Sequence, residues 1–114
     1  MSVESGRIAE AAAASYLARM GLVLIEANYR CRLGEIDLVL RDGGSIVFTE
    51  VRLRTGTRFG GAAESIDARK RARIVAAARH FLAGKPEQPC RFDVVLLDSI
   101  DPPRIEWIRD AFST

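Results

Sequence analysis

The stretch Gly34-Glu35-Ile36-Asp37-Leu38-Val39-Leu40-Arg41-Asp42-Gly43-Gly44-Ser45-Ile46-Val47-Phe48-Thr49-Glu50-Val51-Arg52-Leu53-Arg54 decides the fold of this chain. Two aliphatic runs flank an Asp-Gly-Gly sequence, and glycine supplies the positive φ that a tight hairpin turn needs. The stretch therefore predicts an antiparallel β-hairpin, around which we expect the other elements to pack.

Charged residues interrupt both strands of this hairpin. Glu50 and Arg52 are two residues apart, so they share one face of their strand, and the turn brings Asp37 alongside them. Two carboxylates in an apolar setting stay ionised only if a cation compensates them, which a divalent metal does well. The alternative is a surface ion pair of Glu50 with Arg52 or Arg54, worth at most about 1 kcal/mol.

Length and composition limit the class of protein. With 114 residues, 48% hydrophobic and 28% charged, the chain is expected to form one domain, residues 1–114. No apolar run is long enough for a membrane span and the first residues lack a signal pattern, so we expect a cytoplasmic protein with no membrane partner. Cys31 and Cys90 lack the spacing of a zinc site; free thiols are expected, and a disulfide between them stays open.

The positive charge is concentrated in one part of the chain. The net charge is only +2, yet the range from Arg52 to Lys85 contains nine Arg and Lys residues and only two acidic residues. Such a local excess beside a metal site is expected of a protein that attracts a polyanion. A solvated helix face is the alternative interpretation.

The predicted order of elements is α-β-β-β-α-β-β, an α/β fold with a mixed central sheet. The elements are a helix from Ser2 or Ser5 to Met20, a strand from Leu22 to Ala27 continuing towards Arg30, the hairpin, a glycine-rich loop from Thr55 to Gly61, a helix from Ser65 or Asp67 to Ala83, a strand from Cys90 to Leu97, and an edge strand from Arg104 to Ile108. The helix between the third and fourth strands predicts a parallel crossover.

Three further residues have two interpretations each. Glu10 lies at the edge of the apolar side of the first helix, either as a site carboxylate or as an acid favoured by the helix dipole. Asp93 lies in an apolar run, either as a partner of Lys70 or Arg52 or in a structural ion pair. Phe59 is either an anchor for its loop or an aromatic that stacks on a nucleic-acid base.

Several motifs together resemble a known family, the YraN family of small bacterial proteins, over nearly the whole chain. They are Gly6-Arg7-Ile8-Ala9-Glu10, Asn28-Tyr29-Arg30, Gly34-Glu35-Ile36-Asp37-Leu38, Phe48-Thr49-Glu50-Val51-Arg52-Leu53-Arg54, Lys70 and Arg91-Phe92-Asp93-Val94. The Asp, hairpin and Glu-x-Arg pattern also resembles the PD-(D/E)XK signature of restriction enzymes and archaeal Holliday junction resolvases.

The resemblance implies a restriction-endonuclease-like, three-layer α/β/α core with a Mg²⁺ or Mn²⁺ site. It makes Asp37 and Glu50 metal ligands, with the backbone carbonyl of Val51 as a third, and it matches Glu10 to an acid that completes or orients the site. Arg52 stands where the signature usually has Lys; Arg stays protonated, so it can orient a phosphate and stabilise charge but cannot take a proton from water. Lys70 is a candidate substitute for that missing Lys.

The implied function is a metal-dependent endonuclease that binds and hydrolyses DNA, with branched DNA as the candidate substrate. The predicted nucleic-acid-binding residues are Arg54, Arg58, Arg69, Lys70, Arg71 and Arg73. Cutting a junction in concert also predicts a homodimer, for which the last strand is a candidate surface. The alternative is a non-catalytic nucleic-acid-binding or protein-interaction module on the same fold, which the Arg at position 52 favours.

Overall fold

The hairpin predicted from the Asp-Gly-Gly turn is the centre of a five-stranded sheet in the computed structural model, which describes residues 3–53, 66–100 and 102–113. The helices and strands are α1 (Val3–Arg19), β1 (Val23–Cys31), β2 (Gly34–Asp42), β3 (Ser45–Leu53), α2 (Ala68–Leu82), β4 (Cys90–Ile100) and β5 (Pro103–Phe112). This is the predicted α-β-β-β-α-β-β order. The Thr55–Gly61 loop, with Arg58 and Phe59, and Arg54 lie outside the described residues.

The turn between β2 and β3 sets the register of the sheet. Asp42 pairs with Ser45, which leaves Gly43 and Gly44 as a two-residue loop, and Gly43 has a φ of 59°. A loop of this length fixes every pair further along the hairpin, down to Leu38 opposite Thr49.

The strands lie in the order β1-β2-β3-β4-β5. All neighbours are antiparallel except β3 and β4, which are parallel and joined through α2, so the predicted crossover is confirmed. The predicted last strand is an edge strand, as expected, although it begins at Pro103 and continues to Phe112. The other edge is β1.

The two helices cover opposite faces of the sheet. On one face, α1 buries Ala9, Ala13 and Leu17 against residues such as Val47 and Val95. On the other face, α2 buries its stripe against an aromatic cluster of Phe48 and Phe92; the stripe is Ile74, Ala77, Ala78 and Phe81. The fold is therefore the predicted α/β/α arrangement with a mixed sheet.

The apolar side of α1 differs from its sequence prediction. From the sequence, the apolar side of this helix is expected to include Ile8, Ala9, Ala12, Tyr16, Leu17 and Met20. Ile8 and Met20 are nevertheless 42% and 50% exposed. Alanines at positions 9 and 13 bring the helix close to the sheet along a narrow stripe, so larger apolar residues beside that stripe stay outside the interface.

Candidate functional site

A polar niche opens where β2 separates from β3. Their pairing ends at Leu38 opposite Thr49, while β2 continues along β1 as far as Gly34. Asp37 and Glu50 occupy the positions that would form the next opposing pair after Leu38 and Thr49. Their carboxylates lie within hydrogen-bond reach of each other. The backbone N–H of Val51 donates to Asp37 Oδ2 over 2.8 Å. The acceptor of this N–H is therefore a side-chain oxygen and not a backbone carbonyl of a neighbouring strand.

A lysine from α2 reaches the second of these carboxylates. Lys70 Nζ lies 2.9 Å from Oε2 of Glu50, whose side chain is only 5% exposed. Asp67 fixes the start of the helix, because its Oδ1 accepts the backbone N–H of Lys70 over 2.8 Å. The cap therefore holds Lys70 in the first turn, from which its side chain extends to the niche.

Burial makes the two carboxylates weaker acids than usual. Burial, followed by the charge of Asp37, raises the pKa of Glu50 from 4.5 to about 7, although Lys70 and Arg52 act in the opposite direction. Burial also raises the pKa of Asp37, against the opposing hydrogen bond from Val51. Burial thus favours the protonated form of both carboxyl groups, and the neighbouring cations offset only part of this effect.

Glu10 extends the acidic group onto α1. Its carboxylate is within hydrogen-bond reach of Asp37 and of the Asn28 side chain on β1, and burial followed by the charge of Asp37 raises its pKa. Asn28 lies between the β1 partners of Leu38 and Ile36 and has a φ of 56°, a conformation that Asn tolerates better than most residues. The three predicted acids Glu10, Asp37 and Glu50 thus lie together, with Asp37 in the middle.

The donor set fits a divalent cation held by two carboxylates. Within residues 3–53, 66–100 and 102–113, no three His, Cys, Asp or Glu side chains converge closely enough to enclose an ion. Mg²⁺ needs only one or two protein carboxylates, because waters and substrate oxygens complete its shell. A divalent ion there would compensate the charge of two carboxylates whose pKa values burial raises. The role of the Val51 carbonyl as a third ligand stays a prediction.

The predicted basic residues of α2 separate into two groups. Arg69, Lys70 and Arg73 line a cavity of about 250 Å³ next to the niche. Arg71 lies elsewhere, since its Nε donates to the Ile66 carbonyl over 2.9 Å and its guanidinium lies over the Phe112 ring. Arg52 follows Glu50 on β3 and is partly buried, and its charge lowers the pKa of Glu50.

The sequence analysis did not assign four residues that surround the niche. Glu35 adds negative charge that raises the pKa of Asp37, and Asn28 contacts Glu10. Arg7 and Arg30 line a cavity of about 360 Å³ together with Glu10 and Asp37. The i, i+2 spacing of Glu35 and Asp37 was an available signal, whereas the positions of both arginines depend on how α1 and β1 pack.

Asp93 belongs to a structural network, so its interpretation as an ion-pair residue is confirmed. Its fully buried carboxylate accepts hydrogen bonds from Arg91 Nε at 3.0 Å, Trp107 Nε1 at 2.9 Å and the backbone N–H of Asp110 at 2.9 Å. These contacts join β4 to β5 and account for each of its oxygens.

Fold and site together define a small α/β protein whose mixed sheet holds a buried and a partly buried carboxylate beside a lysine. Residues 9–97 match the family described as Uncharacterised protein family UPF0102. The chain is 56% identical over 108 residues to a UPF0102 protein of Methylobacillus flagellatus, covering 95% of this chain and 96% of that protein. It is also 53% identical over 108 residues to one from Nitrosomonas europaea, covering 94% and 92% of the two chains.

The chain therefore belongs to the UPF0102 family, which confirms the resemblance to the YraN family. A UPF0102 protein of Pseudomonas aeruginosa is 50% identical over 117 residues, with 97% of this chain and 94% of that protein covered. Neither helix in the described part of the chain is long and apolar enough to cross a membrane.

Proposed function

We propose that this protein is a divalent-metal-dependent endonuclease that binds DNA and hydrolyses its phosphodiester bonds, with branched DNA as the substrate class. The observation that carries the proposal is the contact between the carboxylates of Asp37 and Glu50 in a niche where burial raises both pKa values. Perturbed acids of this kind beside a cavity lined with cations are typical of functional sites.

Asp37 and Glu50 would hold the Mg²⁺ or Mn²⁺ ion. When bound, such an ion lowers the pKa of a coordinated water and stabilises negative charge on a phosphoryl oxygen. Lys70 compensates Glu50 in the structure described above, and its side chain is 44% exposed, so its ammonium group has room to move towards solvent or substrate. In this proposal the Glu50 carboxylate contacts Lys70 when no ion is bound and would contact the ion when one is present.

The two neighbouring cations have different chemistry. Arg52 carries a planar guanidinium group, which orients a phosphate oxygen and stabilises the charge that develops during attack. Lys70 carries a compact ammonium group with three donors, which can hold the attacking water. In the proposed enzyme Lys70 therefore takes the role that the signature assigns to the residue at position 52.

Glu10 acts through Asp37 as a positioning residue. Its contacts with Asp37 and Asn28 connect α1 and β1 to the niche and fix the orientation of the Asp37 carboxylate. Arg69, Lys70 and Arg73 supply the cationic wall for the phosphate backbone. Arg54 and Arg58 remain predicted contacts in the part of the chain outside the described residues.

The experiment is cleavage of labelled duplex, flap, single-stranded and four-way-junction DNA with Mg²⁺, with Mn²⁺ and with chelator. We expect metal-dependent cleavage by wild type and its loss in Asp37→Asn and Glu50→Gln, whereas Glu87→Gln, at an exposed position in the α2–β4 connector, retains it. Cleavage that persists in both site variants would refute the proposal.

A non-catalytic nucleic-acid-binding or protein-interaction module is the second candidate function. Arg52 favours it because an arginine replaces the lysine that the signature uses to hold or activate water. The Lys70–Glu50 ion pair favours it because Lys70 already supplies a cation to one of the two candidate metal ligands. DNA binding without cleavage across the panel, unchanged in Asp37→Asn and Glu50→Gln, would establish this alternative.

Concerted cutting of a four-way junction also requires two copies of the site. We propose a symmetric dimer, with the exposed edge of β5 (Pro103–Phe112) as the candidate surface. Gel filtration with and without junction DNA tests this part of the proposal, and a monomer in both cases would contradict it.

A further inference from the structure

Three cavities surround the carboxylate niche, and all of them are lined by Glu35. The first, of about 250 Å³, lies against α2 and includes Arg69, Lys70 and Arg73. The second, of about 360 Å³, lies against α1 and β1. The third, of about 270 Å³, lies between them and is lined by both Arg30 and Arg73. We refer to these three cavities together as the groove; cations of α2 line one part of it and cations of α1 and β1 line another.

In the cavity of the groove that lies against α1, the acidic side chains are less exposed to solvent than the arginines. Glu10 and Asp37 are partly buried, whereas Arg7 and Arg30 are exposed, with the Arg30 side chain at 75%. A polyanion that approaches from solvent thus meets the two guanidinium groups before it meets the carboxylates. Arginine pairs with phosphate through two parallel N–H···O bonds, which suits it to this position.

Glu35 orients one of the two arginines. Arg30 Nε lies 3.3 Å from Glu35 Oε2, so the guanidinium is held beside the groove through one nitrogen. A contact of this kind between exposed side chains contributes little to stability, at most about 1 kcal/mol. Its structural consequence is to keep a cation on the opposite side of the niche from α2.

We infer that Arg7 and Arg30 form a second phosphate-binding subsite, so that a phosphodiester backbone is held on both sides of the carboxylate pair. This inference rests on the proposed function and adds the path of the substrate: the backbone runs from the α2 cations, past Asp37 and Glu50, to the arginines of α1 and β1. A phosphate on each side fixes the reacting phosphate between them, as positioning for in-line attack requires.

The test is the affinity for fluorescently labelled single-stranded DNA in chelator, where no cleavage occurs, measured at several salt concentrations. We expect the double variant Arg7→Ala/Arg30→Ala to lose about tenfold in affinity and its salt slope on single-stranded DNA to fall by about 1.4. The matched double variant Arg19→Ala/Arg41→Ala removes the same charge from α1 and β2 at exposed positions outside the three cavities, and it is expected to retain wild-type binding.

Two further variants separate the possible results. Arg7→Lys/Arg30→Lys keeps both positive charges and is expected to retain the wild-type salt slope. That result would attribute the lower slope of the alanine variant to the loss of two cations that contact phosphate. If Arg69→Ala/Arg73→Ala weakens binding and Arg7→Ala/Arg30→Ala does not, the second subsite is refuted while the proposed function stands. If neither pair affects binding, the nucleic-acid interface of the proposed function is refuted as well.

Repeating the titration with RNA of the same sequence identifies the sugar that the groove prefers. Loss of affinity in the double variant with either polymer supports the subsite.

Discussion

Lys70 Nζ lies 2.9 Å from Glu50 Oε2, and this contact joins the first turn of α2 to the centre of the sheet. It brings a lysine ammonium group to a carboxylate pair that lies beside Arg52. The contact also balances part of a negative charge that burial makes costly. Stability and the proposed chemistry therefore depend on the same few side chains, and both are measurable.

The pH dependence of stability should report the buried Glu50. Its pKa is raised to about 7, so the folded state binds the proton more tightly than the unfolded chain, and the resulting stabilisation is lost as pH rises from 4.5 through 7. The shift corresponds to roughly 3 kcal/mol as an upper limit. The raised pKa of Asp37 acts in the same direction.

We therefore expect the unfolding free energy of the protein in chelator, measured by urea titration, to fall across this pH range. In Glu50→Gln the fall should be smaller, and above pH 7 this variant should be more stable than wild type. Glu87→Gln serves as the control with the wild-type slope. An equal slope in wild type and Glu50→Gln would contradict the raised pKa.

Replacing Lys70 tests its charge and its amine separately. Lys70→Met leaves the acid pair without this cation, so it should raise the pKa of Glu50 above about 7 and lower stability near neutral pH. Because Lys70 is 44% exposed, we expect a loss of about 1 kcal/mol rather than the larger cost of breaking a fully buried pair.

Lys70→Arg keeps the cation and should be within about 0.5 kcal/mol of wild type. If the amine holds or exchanges the proton of the attacking water, this variant should nevertheless lose about 100-fold in cleavage rate. Wild-type cleavage by Lys70→Arg would show that Lys70 acts only through its charge.

Asp93 should determine stability rather than the proposed chemistry. Asp93→Asn removes the charge that Arg91 contacts and directs an amide towards the donors of Trp107 and Asp110, so we expect a loss of about 3–5 kcal/mol. Asp42→Asn is the matched control, since Asp42 pairs with the same Arg91 at 3.0 Å but is 34% exposed. It should cost about 1 kcal/mol or less.

Urea unfolding followed by the emission of Trp107 measures both Asp93 and Asp42 variants. A loss of equal size in the two would contradict the structural role of Asp93.

Gly34 is required where β2 packs on α2. A Cβ atom built there lies 2.6 Å from the backbone carbonyl oxygen of Arg73, so Gly34→Ala must displace the helix or the strand and should cost about 1–3 kcal/mol. At Gly44, in the hairpin turn, the same substitution meets no atom within 4 Å and should change stability by less than about 0.5 kcal/mol. Thermal unfolding of both variants compares them directly, and equal effects would contradict the close approach.

The hairpin and its carboxylate pair were predictable because local chemistry fixes them. Two glycines after Asp42 determine a two-residue turn, and from that turn the register alone places Asp37 next to Glu50. The stripe of α2 was likewise predictable from periodicity, and the burial of β4 from its near-continuous apolar run. These features depend on residues that are close in sequence or related by strand pairing.

Contacts that depend on the packing of separate elements were only partly accessible. Lys70 was a candidate from its place in the family pattern, but its contact with Glu50 requires the helix to cross the sheet at one particular position. The choice of Arg91 as the partner of Asp93 and the grouping of Arg7 with Arg30 depend in the same way on tertiary structure. No spacing rule in the sequence specifies them.

The most direct test of the central claim is a calorimetric titration of Mn²⁺ into the wild-type protein, Asp37→Asn and Glu87→Gln. The account predicts one ion bound per chain in wild type and Glu87→Gln, with proton release near neutral pH because Glu50 must ionise to bind it. It predicts loss of this binding in Asp37→Asn. Absence of binding in wild type, or equal binding in all three proteins, would contradict a metal site at Asp37 and Glu50.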